Sequence, residues 1–210
     1  MQSGEKIKRR LRVRVRGTSR RVLSVALVVL LTAPAFGDEV SLRQLSGARI
    51  DADWFRYINS RFGVADDVPA KGYRYELSTN GAGLTLTSLD HAVTITVLAH
   101  WLINILDSAN NDVKRSISLL FDKAVTDTTN QNGSITYSVR KSDFYVISGS
   151  LGTNAYYERL TISSECPAIF NSLRIFYPQS LERSLESLVS RMSLSLRPTC
   201  SGEEGPAKFD

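Results

Sequence analysis

Histidine and cysteine are scarce in this chain of 210 residues: His91 and His100, Cys166 and Cys200, and no others. That scarcity removes most metal chemistry. No HExxH, CxxC or H-x-E…CxxC spacing occurs, and zinc sites are built from such nitrogen and sulfur sets. The two histidines flank an apolar stretch and lie nine positions apart. Along an extended chain that is roughly 30 Å, too far to share an ion. No serine stands in G-x-S-x-G. Gly149-Ser150-Leu151-Gly152 is a glycine-containing turn and nothing more. Cys166 precedes Pro167 with no histidine near it in sequence, and cysteine catalysis needs one nearby in the fold. Asn80-Gly81-Ala82-Gly83 lacks a following Lys-Ser/Thr and leads into a strand, so it is not a phosphate loop. Internal repeats and low-complexity blocks are also missing. No catalytic set, no cofactor motif and no metal-ligand set is expected.

A long hydrophobic run is lacking too. The longest uncharged apolar run, Val22 to Leu31, spans ten residues, against about 20 for a bilayer-spanning helix. Its flanks explain it. A basic run, Lys6 to Arg16, and Arg20-Arg21 precede it, and Thr32-Ala33-Pro34-Ala35-Phe36-Gly37 follows. Basic region, short apolar region and small-residue exit are the parts of a secretory signal. Residues 1–37 are therefore read as a signal peptide, cleaved after Ala35 or Gly37. The expected location is periplasmic or secreted. The alternative is an uncleaved leader that tethers the domain to the inner membrane, and membrane contact is expected through the leader alone. Ser19-Arg20-Arg21-Val22-Leu23 partly resembles a twin-arginine signal. Chance adjacency among seven leader arginines is the alternative, so both export routes stay open.

Positive charge is lacking where it would matter. The whole chain carries +5. Residues 1–37 hold nine basic residues against Glu5, which is +8. The remainder holds 17 basic and 20 acidic residues, which is −3. Nucleic-acid surfaces need clustered Lys/Arg to displace phosphate counterions. The mature chain has none, and no nucleic-acid partner is expected. Both cysteines fall in the exported part. In an oxidising compartment Cys166 and Cys200 could form one disulfide, and as two free thiols they would remain unlinked.

What is present reads as alternating strands and helices. Residues 38–53 are polar and mixed, a spacer with room for one helical turn. Trp54 to Asn59 is extended, Ser60 to Gly63 turns, and a second extended piece runs to Pro69. Tyr73 to Leu77 alternates weakly. Leu84 to Thr87 and Ala92 to Leu98 alternate at period two around a turn at Leu89-Asp90-His91, a hairpin signature. Asn110-Asn111-Asp112 can cap a helix. Val113, Ile117, Leu120, Phe121 and Ala124 then form an apolar helical stripe to Val125. Thr126 to Gly133 reads as a polar loop. Four strands follow, around Ile135 to Val139, Phe144 to Ser150, Ala155 to Ile162 and Ile169 to Tyr177. Strands this close in sequence normally pair antiparallel. Leu181, Leu185, Leu188, Val189 and Met192 mark a closing helix that ends at Arg197-Pro198. The resulting fold class is α+β, an antiparallel sheet with covering helices. Residues 54–198 form a single domain and residues 199–210 a flexible tail.

Tyr57-Ile58-Asn59-x-Arg61-Phe62-Gly63 and Asn80-Gly81-x-Gly83-Leu84-Thr85-Leu86-Thr87-Ser88-x-Asp90 resemble the opening of small exported bacterial proteins. Asp143 to Gly149 with Tyr156-Tyr157-Glu158-Arg159 is similar to their central hairpin. Leu173 to Pro178 and the closing helix are similar to their end. The resemblance implies an α/β/α sandwich of the Mog1/PsbP type, whose members serve mainly as accessory or binding modules. His91 stands where that pattern usually has glycine. No catalytic residues are carried over.

Of the remaining candidates, Asp66-Asp67 and Glu203-Glu204 are adjacent acid pairs outside any D-x-D-x-D-G loop. They are expected as solvated loop charge rather than a hard-cation site. Trp101 to Leu106 is an apolar run, expected as core, with an exposed docking edge as the alternative. Tyr156 and Tyr157 face opposite sides of an extended strand, so one ring is expected in the core and the other available as an interface anchor. The expected function is a non-catalytic accessory or binding domain of the bacterial envelope, with an envelope protein or small ligand as partner. The alternative is a small periplasmic hydrolase that gathers Asp90, His91 and Glu158.

Overall fold

A computed structural model of the chain describes residues 39–102 and 112–200. The leader, with Arg20, Arg21, Ala35 and Gly37, lies outside the described residues, as do 103–106 of the apolar run and Glu203-Glu204 in the tail.

Twelve strands and two α-helices follow in order among the described residues. The strands are β1 (Glu39–Val40), β2 (Gly47–Arg49), β3 (Trp54–Asn59), β4 (Val64–Pro69), β5 (Tyr73–Leu77), β6 (Gly83–Ser88) and β7 (Thr94–Trp101). After helix α1 (Val113–Asn130) come β8 (Ser134–Arg140), β9 (Phe144–Leu151), β10 (Asn154–Ile162) and β11 (Ile169–Pro178). Helix α2 (Glu182–Ser195) and β12 (Arg197–Pro198) close the chain.

All pairings are antiparallel, and they make two sheets. The large sheet has the order β1-β5-β6-β7-β11-β10-β9-β8, and the small one β12-β4-β3-β2. The expected α+β architecture is present, with one addition: the early extended pieces form a second sheet instead of extending the first. The segment expected as a spacer takes part in both sheets. Val40 pairs with Tyr75, Ala48 with Arg56, and Leu45 is buried between them in sequence. A single 3-10 turn, Leu42–Gln44, fills the helical turn allowed for there.

Period-two alternation explains why the large sheet has two buried faces. On one face Leu84, Leu86, Ile95, Val97, Leu173 and Ile175 pack against Phe55, Val64, Val68 and Met192 of the small sheet and α2. On the other, Tyr145, Ile147, Tyr156, Leu160 and Ile162 pack against Ile117 and Leu120 of α1. Burying one such aliphatic side chain stabilises the fold by about 1.5–3 kcal/mol.

Helix α1 starts where its cap was expected: the Asp112 carboxylate accepts the Arg115 N–H at 3.1 Å. It ends five residues later than the apolar stripe. Thr126 and Thr129 return their hydroxyls to the Asp122 and Val125 carbonyls, at 2.8 and 2.9 Å, and keep the polar end helical.

The two covering layers are offset, and this offset positions the site described next. Helix α1 packs on β8, β9 and β10 on its side. On the opposite side α2 packs on β10 and β11, and the small sheet reaches β7, β10 and β11.

Candidate functional site

Polar side chains gather at three places. The first is the seam between the small sheet and α2. Asp66 and Asp67, expected in a solvated loop, lie in the middle of β4, a strand buried along its whole length. Asp66 is 0% exposed and Asp67 6%. Arg56, directly opposite on β3, reaches Asp67 Oδ1 at 2.8 Å, and Arg191 of α2 reaches Oδ2 at 3.4 Å. The Arg191 guanidinium also lies 4.2 Å from the Trp54 ring centroid. Two cations thus compensate Asp67, which makes its burial tolerable. Asp66 has less support. Ser195 Oγ meets its Oδ1 at 2.5 Å, and its Oδ2 has no hydrogen-bond partner. Burial pushes the Asp66 carboxyl well above the usual carboxylate range, against the opposing pull of the Ser195 hydrogen bond.

The second place is on the α1 side. Glu158, 7% exposed in mid-β10, accepts the Tyr145 hydroxyl at 2.6 Å on Oε1 and faces Arg174 Nε at 2.8 Å on Oε2. Burial first, and Glu158 second, raise the Tyr145 phenol far above its ordinary value. Burial alone would lower the Arg174 value, but the Glu158 carboxylate raises it.

The third is the β6–β7 turn. Asp90 accepts the Ser88 hydroxyl at 2.5 Å and the Ala92 N–H at 3.1 Å. These two bonds, Ser88 foremost, lower its pKa. His91 is exposed at φ 58°, in the left-handed region that favours glycine. The sheet register sets Glu158 opposite Arg174 and Arg174 opposite Thr96. Asp90 lies six residues before Thr96, so roughly 20 Å separates Asp90 from Glu158 at ordinary strand rise and spacing. The structure does not bring Asp90 and His91 to Glu158. His100, at the far end of β7, places Nδ1 3.0 Å from the Trp101 carbonyl and stacks on Phe170. Among the described residues no three His, Cys, Asp or Glu side chains converge as metal ligands.

Cys166 and Cys200 are joined in a disulfide with Cα atoms 5.5 Å apart. It ties the residues after β12 to the β10–β11 loop. In the Asn80–Gly83 turn the backbone carbonyls are already taken, Asn80's by Arg61 Nη1 and Gly81's by Asn59 Nδ2, both at 2.8 Å. Leu102 is 1% exposed and sits in the α1-side core, so the described part of the apolar run after His100 is core.

Sequence reasoning missed a fourth place, the surface on the outer side of β8 and β9. Among the described residues α2 and the small sheet reach β7, β10 and β11 and leave it without a helix or sheet over it. Tyr137, Val139 and Phe144 point to this side and belong to neither core cluster, and Val146 on the same side is 6% exposed. Tyr137 is 56% exposed. Arg159 of β10 lies across Val146 in register, its guanidinium 4.5 Å from the Phe144 ring centroid. Tyr157, on the opposite face from Tyr156, packs against the other core cluster and meets Ser193 of α2 at 2.5 Å, so both rings of the pair lie against core rather than one standing out as an anchor. Burial chiefly, and Tyr137 close by, raise its phenol pKa. The next residue of α2, Leu194, is 83% exposed. This surface, the β8–β9 step, lies at the edge of the sheet, where β8 is the end strand among the described residues.

Comparison with known proteins follows the fold. The solution structure of cyanobacterial PsbP (CyanoP) from Synechocystis sp. PCC 6803 is similar at a TM-score of 0.50 and 12% identity, covering 70% of this chain and 94% of that one. The fold is PsbP-like. At that identity the likeness concerns fold alone. No family model matches the chain, and no curated protein sequence matches it. Among the described residues no helix is long and apolar enough to cross a membrane. The disulfide fits an exported protein.

Proposed function

We propose that the chain is an exported, non-catalytic accessory domain of the cell envelope that binds another envelope component. The observation that carries this reading is the β8–β9 step. An apolar and aromatic surface at the edge of a sheet, with α2 and the small sheet centred on other strands of that face, has the composition of a contact surface. The polar clusters elsewhere support the same reading. Asp67 is neutralised by Arg56 and Arg191, and Glu158 is neutralised by Arg174 and accepts the Tyr145 hydroxyl, which is how structural charges are held. The leader, residues 1–37, supplies the address: a cleaved signal delivers the domain to the periplasm or beyond, and an uncleaved one keeps it at the inner membrane.

Affinity recovery from the periplasmic fraction, followed by mass measurement of the amino terminus of the recovered chain, tests both parts. The expected result is a reproducible partner, lost when Tyr137 is replaced by Glu, and a chain that begins after Ala35 or Gly37. A monomeric chain with no reproducible partner would overturn the binding reading. An amino terminus retaining Arg20-Arg21 would replace release by tethering.

A further inference from the structure

Asp66 and Arg159 face each other across the layers where the small sheet and α2 meet β10. Asp66 shares the inward face of β4 with Val64 and Val68, which pack in the core against the large sheet. Arg159 shares a face of β10 with Tyr157 and pairs in register with Leu173 of the same core. Tyr157 meets Ser193 of α2 at 2.5 Å, and Arg159 and Ser195 each follow two residues later on their own elements. The Arg159 charge is close enough to act on the Asp66 carboxyl. Each residue has a buried polar atom without a hydrogen-bond partner among the described residues, Asp66 Oδ2 and Arg159 Nε.

The other charged and titratable groups at this junction are committed or turned away. Asp67 neighbours Asp66 and repels its charge, and it holds both Arg56 of β3 and Arg191 of α2. Tyr57 of β3 stands opposite Asp66, its phenol pushed up to about 12 by burial. Burial likewise raises the Tyr157 phenol. Arg197 of β12 lies across from Ala65, on the other face of the small sheet, and is exposed. Ala99 of β7 and Asn171 and Leu173 of β11 carry no charge. An ionised Asp66 therefore has one uncommitted counter-charge within its surroundings, Arg159.

Arg159 has two places to go. In this structure its guanidinium lies over Phe144 of β9, 4.5 Å from the ring centroid, and it interacts with the Tyr157 phenol. A ring contact is weaker than pairing with a buried carboxylate, whose charge is costly to leave uncompensated. Ser195 serves either form of Asp66. Its hydroxyl donates to the carboxylate, or accepts from the acid while donating to the Met192 carbonyl at 3.2 Å. We infer that the proton on Asp66 sets the position of Arg159: over Phe144 while Asp66 is protonated, and turned inward to Asp66 Oδ2 once that proton has left to solvent. Phe144 is then uncovered, and the β8–β9 step loses a cation and gains an exposed aromatic ring as pH rises. This names a regulation of the proposed contact surface, and it rests on the binding reading only for its consequence.

The test is an NMR titration of the exported chain with its disulfide intact. It follows the Asp66 carboxyl carbon, the Arg159 Cζ and the Phe144 ring protons from acidic to alkaline pH. All three should move together with one midpoint, and this readout depends on no variant folding. In Asp66→Asn the Arg159 and Phe144 signals should stay still. In Arg159→Gln the Asp66 carboxyl should bind its proton about ten-fold more tightly, because a nearby opposite charge favours the ionised form. Static Arg159 and Phe144 signals through the Asp66 transition overturn the inference. So does an Asp66 that stays protonated until the chain unfolds, or the same movement in Asp66→Asn. An envelope partner recovered through Tyr137 alongside static signals keeps the proposed function and removes this regulation. Coupled movement in a chain with no reproducible partner supports the proton-driven movement and removes the binding role.

Discussion

Ser195 Oγ lies 2.5 Å from Asp66 Oδ1, joining the end of α2 to the middle of a buried strand 129 residues earlier in the chain. The same hydroxyl accepts the Asp67 N–H at 3.1 Å. This contact gives the domain a pH dependence of definite sign. Burial raises the Asp66 pKa in the folded state, so the folded chain holds that proton at pH values where the unfolded chain has lost it. Stability from this group is therefore full below the unfolded carboxylate value of about 3.9 and falls as pH rises toward the folded value. Thermal unfolding of the wild type and Asp66→Asn across acidic to neutral pH should show a difference that grows with pH in favour of Asn. Parallel curves would remove Asp66 as the source.

Tyr145→Phe deletes the hydroxyl that Glu158 accepts at 2.6 Å in the core. A hydrogen bond to a charged group contributes about 1.5–3 kcal/mol. Chemical denaturation should show a loss within that range. A loss near zero would mean that Arg174 alone satisfies the carboxylate.

Replacing both Cys166 and Cys200 by Ser opens a loop of separation 34. The chain-entropy account predicts a loss of about 3–4 kcal/mol. Equal denaturation midpoints for the double variant and the oxidised wild type would contradict that role.

His91 occupies a left-handed position at φ 58° with its side chain exposed. Left-handed backbone costs an L-residue about 1–2 kcal/mol, and glycine avoids the cost while losing more chain entropy on folding. His91→Gly should therefore raise the melting temperature slightly, and His91→Val should lower it. A large loss on His91→Gly would show that the imidazole supports the turn.

Gly149→Ala places a Cβ against the Ser134 carbonyl. Overpacking of this kind costs about 1–3 kcal/mol. The loss should be local, with faster amide exchange in Ser134–Arg140 than in β10 or β11.

Most strands of the large sheet were legible, β7 because it buries alternate residues Ile95, Val97 and Ala99, whereas β1, read as spacer, is only two residues long. Both helices were legible from their apolar stripes. β2 was not, because all three of its residues are exposed and leave no hydropathy pattern. Asp66 and Asp67 looked like surface charge because what makes them tolerable in a strand interior is remote. Asp67 is compensated by Arg56, 11 positions away, and by Arg191, 124 away. The β8–β9 surface was hidden for a related reason. Tyr137 and Val139 alternate as residues of a covered strand do, and only the placement of α2 decides that no described element covers them. Leu194 gave a faint signal, since it lies off the stripe of Leu185, Leu188, Val189 and Met192.

The most direct test of the β8–β9 face as the binding surface is site-specific photo-crosslinking in intact cells, with the photoreactive amino acid at position 137 or at position 89. Leu89 is 61% exposed in the β6–β7 turn, away from β8, and serves as the control. A discrete adduct from position 137 and none from position 89 is the predicted result. No adduct from 137, or the same adduct from both positions, would contradict it.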